Sequence, residues 1–221
     1  MTDHTRRHSV AADANLVKDQ TARAEAEARN GLLQFDVACR MIVDAIEKGE
    51  SWKLRLSVLL ALHREALSGL SNYAGNFRPS GVKIEGSDHK PVESHLVPEL
   101  VEELCDYVND NWKNKTAVHL ASYVMWRLNW IHPFSDGNGR TSRMVSYLVL
   151  CVKLALLLPG RNTIPDQIVN NRKPYFDALE AADEAAKSGK IDLSRMEDLI
   201  EGMLATQLAG VMESATGKHY L

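Results

Sequence analysis

Apolar positions recur at three- and four-residue spacing along most of the chain, which predicts helices nearly throughout. Leu16, Val17, Leu32, Leu33, Phe35, Val37, Ile42 and Ile46 mark helical structure over residues 14–48, around an alanine-rich, charged middle. Asn30-Gly31 is expected to separate two helices there or to bend one. Trp52, Leu56, Leu59, Leu60 and Leu67 stripe a further helix over 51–70. Helices follow over 91–111 and 115–130, the latter with Val118, Ala121, Val124, Met125 and Leu128 on one face. From about Arg140 the chain turns strongly apolar, with Met144, Val145, Leu148, Val149, Val152 and Leu156 in helical register until Pro159-Gly160. Residues 164–187 and 191–212 complete the helices, and 214–221 read as a tail. One stretch breaks the period. After the turn-rich segment 71–80, Gly81-Val82-Lys83-Ile84 and the residues to His89 alternate apolar and polar, as a short hairpin strand does.

Composition narrows the class. The 221 residues suit one domain of ordinary size, and 45% apolar with 25% charged residues is an average soluble composition. Lys and Arg number 26 against 29 Asp and Glu, so the net charge of −3 argues against a nucleic-acid or anionic-membrane partner. Cys39, Cys105 and Cys151 are widely spaced and odd in number, which suggests neither a disulfide framework nor a zinc site. Met1 to Asp13 has no apolar core, so no signal peptide is visible. The apolar run Met144 to Leu158, broken by Ser146 and Lys153, is too short to span a bilayer. These features predict a cytoplasmic protein and leave self-association open.

The chemistry concentrates in His132-Pro133-Phe134-Ser135-Asp136-Gly137-Asn138-Gly139-Arg140-Thr141-Ser142-Arg143. Pro133, Gly137 and Gly139 predict a loop over 132–139 that runs into a helix N-terminus, where free N–H groups and the helix dipole favour an anion. Arg140 and Arg143 share one face of the first turn, and two forked guanidiniums suit a polyphosphate. Asp136 supplies one carboxylate, which with phosphate oxygens and water makes a normal magnesium site. His132 is the local group whose ordinary pKa suits proton abstraction near neutrality. Each feature alone is commonplace in turns and on surfaces. Together they describe a nucleotide held for attack by an external hydroxyl.

The same stretch resembles the Fic motif, His-x-Phe-x-Asp/Glu-Gly-Asn-Gly-Arg-x-x-Arg, at all eight specified positions. The resemblance implies an all-α Fic fold, a helical bundle with a short β-hairpin flap over the active site, and transfer of AMP from ATP to a hydroxyl of a target protein. By the same resemblance His132 is the general base, Asp136 holds Mg2+, and Asn138 with the amides of Gly137 and Gly139 cradles the α- and β-phosphates. Arg140 pairs with the β/γ-phosphates and Arg143 with the γ-phosphate, while Phe134 anchors the loop. Gly81, Val82, Lys83 and Ile84 resemble the flap that docks the target by main-chain pairing. Tyr175 lies in the region expected near the adenine. Many relatives are restrained by a helix carrying Ser/Thr-x-x-x-Glu-Gly/Asn, and Thr21-Ala-Arg-Ala-Glu25-Ala26 resembles it, with alanine at the last position. Glu25 is therefore the expected inhibitory residue and Glu27 the alternative. The expected layout is a frayed N-terminus over 1–13, a helical region over 14–50, the Fic core over 51–190, and a closing helix and tail over 191–221. Two other readings stand beside it. A Doc-like phosphotransferase is opposed by Gly139, where Doc motifs depart from the pattern, while transfer from another nucleotide is left open. A non-enzymatic nucleotide-binding regulator is opposed by the intact His132.

Overall fold

The computed structural model describes residues 8–10 and 16–216. Eight α-helices lie among them: α1 (Gln20–Lys48), α2 (Leu56–Leu67), α3 (Val97–Asp110), α4 (Ala117–Ile131), α5 (Asn138–Lys153), α6 (Ile164–Asn170), α7 (Arg172–Lys187) and α8 (Ser194–Thr216). Two short strands, β1 (His8–Val10) and β2 (Lys83–Glu85), pair antiparallel with Ser9 opposite Ile84. Helix α4 is buried on almost every side, and α5 is buried from Met144 to Val152. These two helices form the centre of the molecule, with α1 and α2 packed on α5, and α3 and α8 packed on α4. The loop carrying the chemistry joins the two central helices, so its ends are anchored in the core. No helix among the described residues is long and apolar enough to cross a membrane.

Local signals set the helix ends. The Asp19 carboxylate accepts the Ala22 N–H at 2.8 Å to start α1, and the Thr116 hydroxyl accepts the His119 N–H at 3.0 Å to start α4. Thr163 and Asp166 form a reciprocal capping box at α6. Helix α5 stops at Lys153, short of the expected Pro159-Gly160. Ala155, at φ 53°, gives its N–H to Val152 O, and Leu156 gives its own to Cys151 O, the paired bonds of a Schellman cap.

Several expectations are corrected. Helix α1 runs unbroken through Asn30-Gly31, because the Asn30 amide is occupied elsewhere: it donates to Ser68 O at 2.8 Å and Ala66 O at 3.4 Å, at the C-terminal end of α2. The expected helix over 164–187 is two helices. Asn171, at φ −141° and ψ 87°, interrupts it, and Pro174 then sits in the first turn of α7, where its missing N–H costs nothing. The strand of the expected hairpin, Lys83–Glu85, takes β1 as its partner. His8–Val10 is thus strand within the segment expected to fray, and the rest of 1–13 lies outside the described residues. Helix α8 runs to Thr216, past the expected start of the tail at Ser214.

Candidate active site

Helix α4 ends at His132, whose backbone turns left-handed at φ 54° and ψ 58°. A non-glycine residue holds that conformation only when its surroundings impose it. Arg78 does so. Its Nε donates to His132 O at 2.8 Å, its backbone N–H donates to Pro133 O at 3.0 Å, and its other nitrogens donate to Ser80 O and Val92 O. Arg78, 3% exposed, straps the loop that follows α4 to both flanks of β2. Phe134 is buried between the His63 ring, stacked on it at 3.7 Å, and the Phe77 ring at 5.9 Å. A fully buried phenyl of this kind contributes roughly 1.5–3 kcal/mol.

His63 also fixes the backbone. Its Nδ1 accepts the Gly75 N–H at 2.9 Å, so the ring proton is on Nε2, which donates to Asp136 O at 3.0 Å. Burial pulls its pKa down to about 4, keeping the ring neutral. Asn138 spans the loop, with Oδ1 accepting the Phe134 N–H at 2.9 Å and Nδ2 donating to Phe134 O at 2.7 Å. Gly137 begins α5 at φ 75°, and a Cβ there would stand 2.3 Å from Leu67 Cδ2. Conformation and space both require glycine.

The side chains expected to react converge on this frame. His132 Nδ1 faces Asn129 O at 3.3 Å. A carbonyl only accepts, so the proton sits on Nδ1 and Nε2 is the basic nitrogen. Burial, helped by His89 and Arg78, pulls the His132 pKa down to about 3, so the base form prevails at neutral pH. The Asp136 carboxylate accepts the Gly137 N–H on Oδ1 at 2.6 Å, and its Oδ2 takes Arg23 Nη2 at 2.9 Å and Arg140 Nη2 at 3.3 Å. Arg140 Nη1 is buried without a hydrogen-bond partner and lies 3.8 Å from Glu27 Oε1. Among the described residues Arg143 has no carboxylate partner; its electrostatic neighbours are Tyr175, Arg172 and Arg140, and burial lowers its pKa. Gly139 leaves room for it, since a Cβ there would meet Arg143 Nη1 at 3.1 Å. An orphaned donor and a second arginine without a counter-ion, beside a helix N-terminus, are arranged for an anion with several oxygens. No group of three or more His, Cys, Asp or Glu side chains able to hold a metal occurs among the described residues. A cation at Asp136 therefore needs the oxygens of a bound nucleotide to complete its shell.

His132, Asp136, Gly137, Asn138, Gly139, Arg140 and Arg143 stand together on the loop between α4 and α5 and the first turns of α5. The Asn138 side chain is turned inward, where both ends of its amide bond the Phe134 backbone as a staple of the loop. Tyr175 is 2% exposed and its hydroxyl accepts from Asn129 Nδ2 at 2.8 Å, so it is a core residue rather than a platform for adenine. Glu25 is exposed, and Glu27 lies 3.8 Å from Arg140, the first of the two motif arginines, whereas Arg143, the second, has no carboxylate partner among the described residues. Lys83 is exposed and Ile84 buried on β2, the strand already paired with β1. Sequence reading missed His63, Arg78 and Arg23. Each lies in a helix or loop remote in sequence from the motif, and only the packing joins them to it.

Comparison with known proteins agrees with this geometry. The Fic/DOC family model matches residues 53–150. Protein adenylyltransferase fic-1 of Caenorhabditis elegans is 25% identical over 190 residues, covering 79% of this chain and 35% of its own. Protein adenylyltransferase Fic of Aedes aegypti is 28% identical over 194 residues, covering 80% and 36%. The chain thus spans about a third of the length of these relatives. Among solved structures, Fic-1 of C. elegans superposes with a TM-score of 0.68 at 19% identity, over 91% of this chain and 55% of that one. A Fic domain protein of Bacteroides thetaiotaomicron gives 0.63 at 19%, over 86% and 73%. The complete motif on the loop between α4 and α5, the shared fold and the family match identify residues 53–150 as a domain similar to the Fic/DOC family.

Proposed function

We propose that the chain is a protein adenylyltransferase, moving AMP from ATP to a Ser, Thr or Tyr hydroxyl of a target protein. The observation that carries the proposal is the pairing of a buried, neutral His132, its Nδ1 facing Asn129 O, with two guanidiniums at the start of α5: Arg140, whose Nη1 has no hydrogen-bond partner, and Arg143, which has no carboxylate partner among the described residues. His132 Nε2 takes the proton of the target hydroxyl as its oxygen attacks the α-phosphorus. The new O–P bond forms, the bond to the β-phosphate oxygen breaks, and pyrophosphate leaves. Arg140 and Arg143 hold the oxygens on which the leaving charge develops, and the first-turn N–H groups of α5 hold the phosphates in line. Asp136 would hold Mg2+ together with oxygens of the nucleotide, and the metal would supply neutralisation of phosphate charge. The target lies along β2 as an added strand, in the place β1 takes here.

The same reading includes a restraint. Glu27 sits against Arg140, where phosphate oxygens have to come, so α1 holds the site in a resting state. The 3.8 Å contact between Glu27 and Arg140 supports assigning the restraint to Glu27, the alternative of the two glutamates, over the exposed Glu25.

The test uses ATP labelled at the α- or the γ-phosphate, with magnesium and cell lysate, for the parent chain, Glu27→Gly, Glu25→Gly and His132→Ala. Label from the α-position that rises in Glu27→Gly and disappears in His132→Ala is expected. Label from the γ-position alone would replace this reading with phosphotransfer.

A further inference from the structure

We propose that α1 carries a two-residue mimic of the metal–nucleotide pair, with Arg23 standing for the cation on Asp136 and Glu27 for phosphate on Arg140. The proposal rests on the nucleotide-binding reading above and extends it to a site that a glutamate alone does not block. Four side chains form a closed ring of alternating charge. Arg23 Nη2 lies 2.9 Å from Asp136 Oδ2, Arg23 Nε lies 3.0 Å from Glu27 Oε1, Arg140 Nη1 lies 3.8 Å from the same Glu27 oxygen, and Arg140 Nη2 lies 3.3 Å from Asp136 Oδ2.

The Asp136 carboxylate has little to spare. Its Oδ1 is held by the Gly137 N–H at 2.6 Å, so Oδ2 is the oxygen left for a cation. Mg2+ binds a carboxylate oxygen at about 2.1 Å and keeps a shell of water and phosphate oxygens around it. A guanidinium 2.9 Å from that oxygen occupies the same space and carries the same sign of charge. Metal and Arg23 therefore exclude one another. When both partners are displaced, Arg23 and Glu27 still satisfy each other, because they stand four residues apart on one helix face. The latch opens by side-chain rotation, with α1 staying folded and packed. Its four side chains are 23–37% exposed, so water screens the contacts and a small gain from bound nucleotide opens them. The consequence is a division of labour: Arg23 opposes the metal, and so weakens nucleotide binding only where metal is present, while Glu27 opposes the nucleotide with or without metal.

Calorimetric titration of the full chain with a non-hydrolysable ATP analogue, in millimolar magnesium and again in EDTA, tests the proposal. The chains are the parent, Arg23→Ala, Arg23→Gln and Glu27→Ala, and each is also assayed for transfer of α-label. In magnesium, both Arg23 variants are expected to bind about 3- to 10-fold tighter than the parent, with the half-saturating magnesium concentration lowered by a similar factor. In EDTA the Arg23 variants show no gain, while Glu27→Ala gains under both conditions. Weaker binding of Arg23→Ala with and without metal would make Arg23 a phosphate ligand and overturn the mimic. Affinities equal to the parent throughout would reduce the ring to surface ion pairs and overturn it equally. Binding that follows the expected pattern without transfer of α-label would uphold the mimic and reject adenylyl transfer. No binding to any form would reject both.

Discussion

At the scale of single residues, His132 combines a weak base with a fixed tautomer. A base near pKa 3 in the free protein is fully deprotonated throughout the neutral range. Transfer measured as kcat/KM should therefore stay level from pH 8 down to pH 6, without the fall near 6.5 that an exposed histidine gives. A half-maximal point at 6.5 would mean that nucleotide or target opens the site before His132 acts. The two motif glycines separate stability from function. Gly137→Ala puts a methyl 2.3 Å from Leu67 Cδ2 at a positive φ, and should cost about 2–4 kcal/mol in urea unfolding. Gly139→Ala meets only the movable end of Arg143, at 3.1 Å. It should leave the unfolding midpoint within about 1 kcal/mol of the parent and weaken nucleotide binding instead. Equal unfolding losses for the two variants would contradict this division.

At the scale of elements, helix α1 and the β1–β2 pair act on the site from two directions. Strand β1 covers the edge of β2 along which a target would lie, with His8, Ser9 and Val10 opposite Glu85, Ile84 and Lys83. A target strand competes with this built-in one for the same backbone groups. One of two successive residues in an antiparallel pair turns its N–H to the partner, so prolines at both Ser9 and Val10 remove such a bond. The double variant is expected to lower the KM for a target several-fold and to leave kcat unchanged. An unchanged KM would show that targets do not use this edge.

At the scale of the molecule, two histidines are buried neutral at the junction of α2, α4 and α5. The pKa of His63 is about 4 and that of His132 about 3, both below the 6.5 of an unfolded chain. The unfolded state thus binds more protons between those values. Their share of stability is fully present above pH 6.5 and is lost as pH falls towards 4, by up to about 1.4 kcal/mol per pH unit for each histidine. Urea midpoints should drop steeply over that window, and His63→Gln should lower the slope by about one proton's worth. An unchanged slope would mean that His63 protonates without unfolding.

The sequence by itself determined the loop over residues 132–139 and the helices on either side, and gathered the candidate reactive groups there, because those contacts are local. The loop breakers, the base, the carboxylate and both arginines stand within three turns' length of chain, and Asn138 reaches Phe134 across four residues. Periodicity served least well in α1. Leu32 and Leu33, which marked its expected apolar face, are 71% and 46% exposed. Its buried stripe is Asn30, Gln34, Ala38, Ile42 and Ala45, begun by two polar residues whose amides bond carbonyls of α2 and the serine after it. Carried back at ~100° per residue, that stripe passes near Glu27 and Arg23 and turns Glu25 away, which agrees with Glu25 being exposed and Glu27 reaching Arg140. Which glutamate faces the site is a question of how α1 is rotated against α2 and α5, and polar residues in the contact hid that rotation. The roles of His63 and Arg78 were hidden for a related reason. Their hydrogen bonds go to backbone atoms of the loop, which any side chain could accompany, so only tertiary packing decided which residues would supply them.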